Sequence, residues 1–344
     1  MKMNMMLWIN FYIIPFFFII NIMSIFINNN YIMWILLEMN NINFITLMIL
    51  MSNKLNYYKK NLSNIFTYMI IQTISSLLIM INFIDSMSMI NNFYFFEIGI
   101  LIKLGIFPFH YWVIMIMNNM NWIIIFMLSS IQKIIPLMMI YLSEFSNKMN
   151  FILILSILLC SFWMMKQNNF KKIIAYSSII NSSWMMMMMF LNKFNCMFYF
   201  LIYSLTMLCL ILILIKFNIN NNKFIYSMNF MPFKFKFLFM LLMMALMGMP
   251  PMSMMWNMIL IMLTLKKMMY STIILIMLIL SKLMMMISYL YISYSFFFLK
   301  KMNWKNLYKY SNKFWMKSNL MFIMISLITL MIFISIYLLN TFYN

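Results

Sequence analysis

The sequence predicts an all-α membrane protein of about eleven transmembrane helices, and three observations carry that reading. Hydrophobic residues make up 66% of the 344, against roughly half in a soluble domain. Charged residues make up 8%, where a soluble domain carries about a quarter. The apolar residues also fall in runs long enough to cross a bilayer, and the lysines collect between alternate runs.

A helix needs about 20 mostly apolar residues to cross the hydrocarbon core. Such runs occupy 7–27, 31–52, 64–84, 86–108, 120–143, 150–165, 173–191, 196–217, 237–265, 270–299 and 319–340. The first run is too long for a signal peptide and lacks a small-residue cleavage site, so it reads as a span. Lysine placement tests the count independently. All 24 basic residues are lysine; 17 lie on the N-terminal side or in the even-numbered loops, four lie opposite, and Lys103, Lys133 and Lys282 fall inside spans. The positive-inside rule then places the N-terminus on the matrix side and the C-terminus on the intermembrane-space side. The net charge of +20 becomes a solvated loop face near anionic lipid. No basic module with interleaved aromatics suggests nucleic acid as a partner.

Small residue counts exclude whole classes of chemistry. Three glycines cannot build a dinucleotide or nucleotide loop. One histidine and three scattered cysteines, Cys160, Cys196 and Cys209, cannot supply a bis-histidine haem, an iron–sulfur cluster or a zinc site. No cofactor is expected in this chain, so any associated redox chemistry belongs to another. The 52 methionines, the abundant Ile, Asn, Lys, Phe and Tyr and the absence of Arg are the product of AT-rich codons in a code reading AUA as Met. That points to synthesis inside a mitochondrion, where no targeting presequence is needed. The run Trp184–Met189 reads as flexible apolar packing, not a metal site.

An ionisable residue at the bilayer centre costs about 2.5–3.5 kcal/mol on insertion scales, so each one needs a reason. Glu38 lies in span two within WILLEMNNINF, Lys103 in span four within LIKLGIFPFHYW, and Lys133 in span five within SSIQKIIP. A buried Glu–Lys pair whose separation can change would act as a switch for proton occupancy. Span four also contains Gly105 and Pro108, and span nine contains Gly248, Pro250 and Pro251. Proline removes a helical N–H and clashes with the preceding turn, opening backbone groups at membrane depth. If spans one to five (7–143) and six to ten (150–299) are repeats, both breaks fall in the fourth helix, as in inverted-repeat transporters. The span at 319–340 then stands outside the repeats.

Six motifs in one order carry a resemblance covering about Trp34 to Tyr294. WILLEMN, TYMIIQTISS, KLGIFPFHYW, IQKIIP, KKIIAYSSIINSSW and GMPP resemble segments of the NADH–ubiquinone oxidoreductase chain 2 family. These are antiporter-like membrane subunits of mitochondrial respiratory complex I. The resemblance implies two inverted five-helix repeats with broken helices, and proton-path roles for the residues matching Glu38, Lys103 and Lys133. His110 matches the family's PFH histidine, and its expected role is a structural hydrogen bond at a broken-helix end. Three positions depart: Asn181 stands where the family has histidine, Met258 where it has lysine, and Thr67 where it has another lysine. The first-half machinery is thus intact and the second-half path altered.

The function implied is a proton-translocating subunit in the mitochondrial inner membrane, surrounded by other membrane-arm subunits and lipid. NADH, flavin, iron–sulfur and ubiquinone sites would lie on partner chains. A non-conducting scaffold of the same arm is the alternative, supported by Asn181 and Met258; a stand-alone cation/proton antiporter is a third. Two geometric expectations accompany this reading. Glu38 should approach Lys103 directly or through one water, because mutual attraction offsets part of the burial cost. Lys282, which matches no family motif, should face the protein interior if it supplies the positive site missing at Met258.

Overall fold

The computed structural model describes residues 12–51, 58–85, 93–143, 147–191, 193–217, 233–249, 253–267 and 272–298. In lipid every backbone N–H and C=O must find a partner inside the chain, which a helix achieves segment by segment. The described residues accordingly form helices and no strands. In chain order they are α1 (Ile14–Phe26), α2 (Asn30–Met51), α3 (Tyr58–Asp85), α4 (Phe93–Leu104), α5 (Tyr111–Asn119), α6 (Trp122–Ser129) and α7 (Ile134–Leu142). They continue with α8 (Asn147–Met165), α9 (Phe170–Leu191), α10 (Lys193–Lys216), α11 (Phe233–Met247), α12 (Ser253–Lys267) and α13 (Thr272–Phe298). A 3₁₀ turn, Ile131–Lys133, joins α6 to α7.

Local chemistry sets the ends where it is visible. Pro15 sits in the first turn of α1, where its missing N–H costs nothing. The Asn29 side chain accepts from the Tyr31 N–H at 3.0 Å, capping the start of α2. By length and composition, Asn30–Met51, Leu62–Phe83, Trp122–Leu142, Lys193–Lys216 and Thr272–Ser293 can each cross a membrane.

Each of the first ten expected spans contains a helix or a helix pair among the described residues, while the span at 319–340 lies outside them. Two spans show more detail than the apolar runs give. Span four was ended at Pro108, but the chain becomes helical again at Tyr111 and continues to Asn119. Pro108 therefore sits inside an interruption rather than at an end, because the residues following it are apolar enough to resume the crossing. Span five contains an interruption that its apolar run does not show, the 3₁₀ turn Ile131–Lys133. Pro136 explains this: it offers no N–H to the carbonyl four residues back and crowds it.

The chain divides into two compact units, residues 1–160 with 174–193, and 161–173 with 194–344. In the first, α3 packs along α4 and also against α2 and α5, while α7 packs on α1, α2 and α4. An aromatic series runs through it: Phe17 to Phe44 at 6.4 Å, Phe44 to Tyr68 at 5.0 Å and Tyr68 to Trp112 at 6.0 Å between ring centroids. The other faces of α1 and α2 expose Phe16, Ile19, Ile22, Ile35 and Ile42, as suits helices whose solvent is lipid. In the second unit α11, α12 and α13 pack on one another. Trp184–Met189, in the first unit, is wholly buried, consistent with packing.

Candidate functional site

Helix α4 ends in a Schellman motif. The Gly105 N–H bonds to the Ile102 carbonyl at 3.1 Å and the Ile106 N–H to the Leu101 carbonyl at 3.0 Å. This closure needs a left-handed residue, and Gly105 supplies it with φ of 65°. The Trp112 indole N–H, from the next helix, donates to the Ile102 carbonyl at 3.1 Å, so α5 is tied across the interruption. Helix α11 ends in the same way. The Gly248 N–H reaches the Ala245 carbonyl at 3.1 Å, the Met249 N–H reaches Met244 at 3.3 Å, and Gly248 has φ of 72°. Pro250 and Pro251 lie outside the described residues.

The first break positions Lys103 in the last turn of α4, two residues before Gly105. Lys103 is buried, and its Nζ has no hydrogen-bond partner among the described residues. Lys103 lines a cavity of about 20 Å³ whose wall also includes Asn40, Asn41, Tyr68, Gln72, Gln132 and Lys133. A water molecule needs roughly 10–15 Å³ by this measure and two or more polar partners. The cavity therefore has room for about one, in a wall that holds two lysines, several amides and a phenol.

Lys133 reaches this cavity because the 3₁₀ turn swings it inward; its Nζ donates to the Ser178 carbonyl of α9 at 2.6 Å. A file of amides approaches the same wall: Asn21 Nδ2 donates to Asn40 Oδ1 at 3.3 Å, and Asn40 Nδ2 to Gln132 Oε1 at 3.5 Å. The Tyr68 hydroxyl donates to Asn41 Oδ1 at 3.4 Å. Glu38 is half-buried, and its field acts on both Lys103 and Tyr68. Of the two contacts expected between Glu38 and Lys103, direct or through one water, the direct one is not formed: among the described residues Lys103 Nζ and Glu38 Oε1 each have no hydrogen-bond partner. Their coupling is through space.

His110 lies in the first interruption. Its Nδ1 is 3.2 Å from the Pro108 carbonyl, and its ring stacks near Phe107 and Tyr176 at 5.6 and 6.4 Å. Asn181 is fully buried in α9 among Ser177, Ser178, Ser182 and Ser183, whose hydroxyls donate to carbonyls of their own helix. Lys282 and Met258 are both buried in the second unit. Sequence reasoning did not single out Tyr68, Gln72 or Gln132. The signal available was their spacing: Tyr68 and Gln72 are four apart on α3 and share one face.

Two buried lysines in the wall of one water-sized space can exchange a proton if a water bridges them, and the field of Glu38 acts on Lys103. Neither amine needs a metal or an organic cofactor for this. Among curated relatives, the chain is 35% identical over 186 residues to NADH-ubiquinone oxidoreductase chain 2 of Apis mellifera ligustica, covering 52% of this chain and 54% of that one. It is 33% identical over 184 residues to the protein of that name from Anopheles gambiae, covering 50% and 52%. The chain thus spans about half the length of the curated relatives it matches. Respiratory complex I of Thermus thermophilus contains a chain of similar fold, with a TM-score of 0.66 at 14% identity over 80% of this chain and 67% of that one. A chain of an archaeal membrane-bound sulfane sulfur reductase is similar in fold too, at 0.68 and 14%, over 90% and 68%. Residues 3–284 match the family model described as NADH:quinone oxidoreductase/Mrp antiporter, transmembrane, and the chain belongs to that family.

Proposed function

We propose that this chain is the antiporter-like, proton-translocating subunit of a mitochondrial NADH:ubiquinone oxidoreductase. It sits in the inner membrane among other membrane-arm subunits and lipid, with its N-terminus on the matrix side and its C-terminus on the intermembrane-space side. Electron transfer takes place on partner chains, which hold the NADH, flavin, iron–sulfur and ubiquinone sites. This chain couples to that transfer through Glu38, Lys103 and Lys133, and its spans form inverted repeats at 7–143 and 150–299. The observation that carries the reading is the cavity of about 20 Å³ walled by both Lys103 and Lys133 beside the first helix break. A structural ion pair would bring one cation against one anion. Two cations facing one water-sized space, with an acid acting from a distance, suit transfer better.

The test is Lys103→Met in the assembled complex. Protons moved per NADH oxidised should fall, while NADH oxidation by artificial acceptors stays near its normal rate, because hydride chemistry lies elsewhere. A normal ratio in a fully assembled complex would favour the second reading, a scaffold that seals the arm without conducting. Asn181 and Met258, which cannot carry a proton at neutral pH, are the observations on that side.

A further inference from the structure

The second unit contains a buried amine that the reading above leaves unused. Helix α13 is strongly two-faced. Leu278, Ser281, Lys282, Met285, Ser288, Tyr289, Ile292 and Ser293 are buried, whereas Ile276, Ile279, Leu280, Leu283, Ile287 and Tyr291 are exposed. Lys282 thus lies on the stripe turned toward protein, 6% exposed, and not on the lipid-facing side. It cannot reach a headgroup along its own helix. At 1.5 Å per residue it stands about 15 Å from the first residue of α13 and about 24 Å from the last, both longer than a lysine side chain. Of the unit's lysines whose burial is described, it alone is fully buried.

Its stripe mixes apolar side chains with three buried serines. The hydroxyls of Ser281, Ser288 and Ser293 donate to carbonyls one turn back at 2.6, 2.7 and 2.8 Å. That leaves their oxygen lone pairs as acceptors on the buried face, a lining suited to an ammonium or to water. Helix α13 packs against both α11 and α12, the two halves of the broken helix. The first unit has the same order: a broken helix (α4–α5), then a span with a buried lysine (α6–α7), of which α7 packs on α4. Lys282 follows its break as Lys133 follows the first.

We propose that Lys282 is a proton-exchanging site of the second unit, in series with Lys103 and Lys133; this rests on the conducting reading above. In each cycle the Lys282 ammonium releases a proton to a water molecule leading to one membrane face. The neutral amine then regains a proton from water supplied from the other face, so charge and protons balance with water as the sole co-reactant.

The experiment compares Lys282→Arg, Lys103→Met and the double variant in the assembled complex, reading protons moved per NADH oxidised. Arginine preserves the positive charge but does not release its proton, so a merely structural cation would be rescued by it. The proposal expects Lys282→Arg to lower the ratio by the same fraction as Lys103→Met, and the double variant to lower it no further, as for sites in series. A native ratio in Lys282→Arg alongside a reduced one in Lys103→Met overturns this inference and leaves the conducting reading standing. Native ratios in both overturn the conducting reading itself. A reduced ratio in Lys282→Arg alone overturns the series arrangement with Lys103. Failure of Lys282→Arg to assemble would mark the residue as a packing element and also overturn the proposal.

Discussion

The breaks at Gly105 and Gly248 have the same backbone and different surroundings. Both close a helix with one bond to the third residue back and one to the fifth, through a left-handed glycine. Two residues before the glycine, however, the first break carries Lys103 and the second Leu246, both buried. The neighbourhoods differ as well. A methyl group on Gly105 would overlap Val113 Cγ2, whereas one on Gly248 would meet nothing nearer than the Met255 nitrogen at 3.5 Å. A shared backbone motif therefore interrupts the helix, and what fills the interruption is decided separately. In the first unit the break is packed tightly and an amine is stationed on it; in the second it is roomier and the amine stands on the following helix.

Three substitutions press on that contrast. Gly105→Ala should have the largest effect, combining a disfavoured left-handed backbone with a forced displacement of Val113, about 3 kcal/mol together. It would show as a marked drop in the temperature at which the complex dissociates on native gels; little change would mean that the first break is as roomy as the second. Gly248→Ala should cost only the backbone term, about 1–2 kcal/mol, and give a smaller drop in the same assay. Equal drops for the two glycines would erase the distinction drawn from their neighbours. Trp112→Phe should be mildest, about 1 kcal/mol for one hydrogen bond to the Ile102 carbonyl. Its sharper signature would be faster amide exchange at Gly105 and Ile106 than at Gly248 and Met249.

Much of this arrangement is legible in the sequence, for reasons that differ by element. The spans can be read because lipid demands long apolar runs, and lysine placement checks the count. Glu38, Lys103, Lys133 and Lys282 stand out because charges are rare in such runs. The end of span four is not legible, since a proline followed by more apolar sequence can either end a crossing or interrupt it. Tyr111–Asn119 decides for interruption only once it folds as a helix. The 3₁₀ turn that carries Lys133 inward left a clue in Pro136. The cavity left only a partial one: the four-residue spacing of Tyr68 and Gln72 puts both on one face of α3, but no periodicity records that Gln132 meets them from another segment. The through-space relation of Glu38 to Lys103 was equally hidden: two opposite charges on neighbouring spans invite a direct bond, and none forms.

Several cross-helix hydrogen bonds of the first unit share a property with genetic consequences. Trp34 donates to the carbonyl of Ser76, Tyr31 to Phe83, Trp112 to Ile102, Asn121 to Met51, Lys133 to Ser178 and Lys193 to Tyr141. In each case the acceptor is a main-chain oxygen, which every residue type provides. Codon drift toward Met, Ile, Asn and Phe can thus rewrite the accepting residue without erasing the bond, and Ser178→Ala would leave Lys133 its acceptor. Selection need guard only the donors. A genome pressed into so narrow an amino-acid vocabulary can keep a helix bundle in register by this means, because half of each contact is written in the backbone.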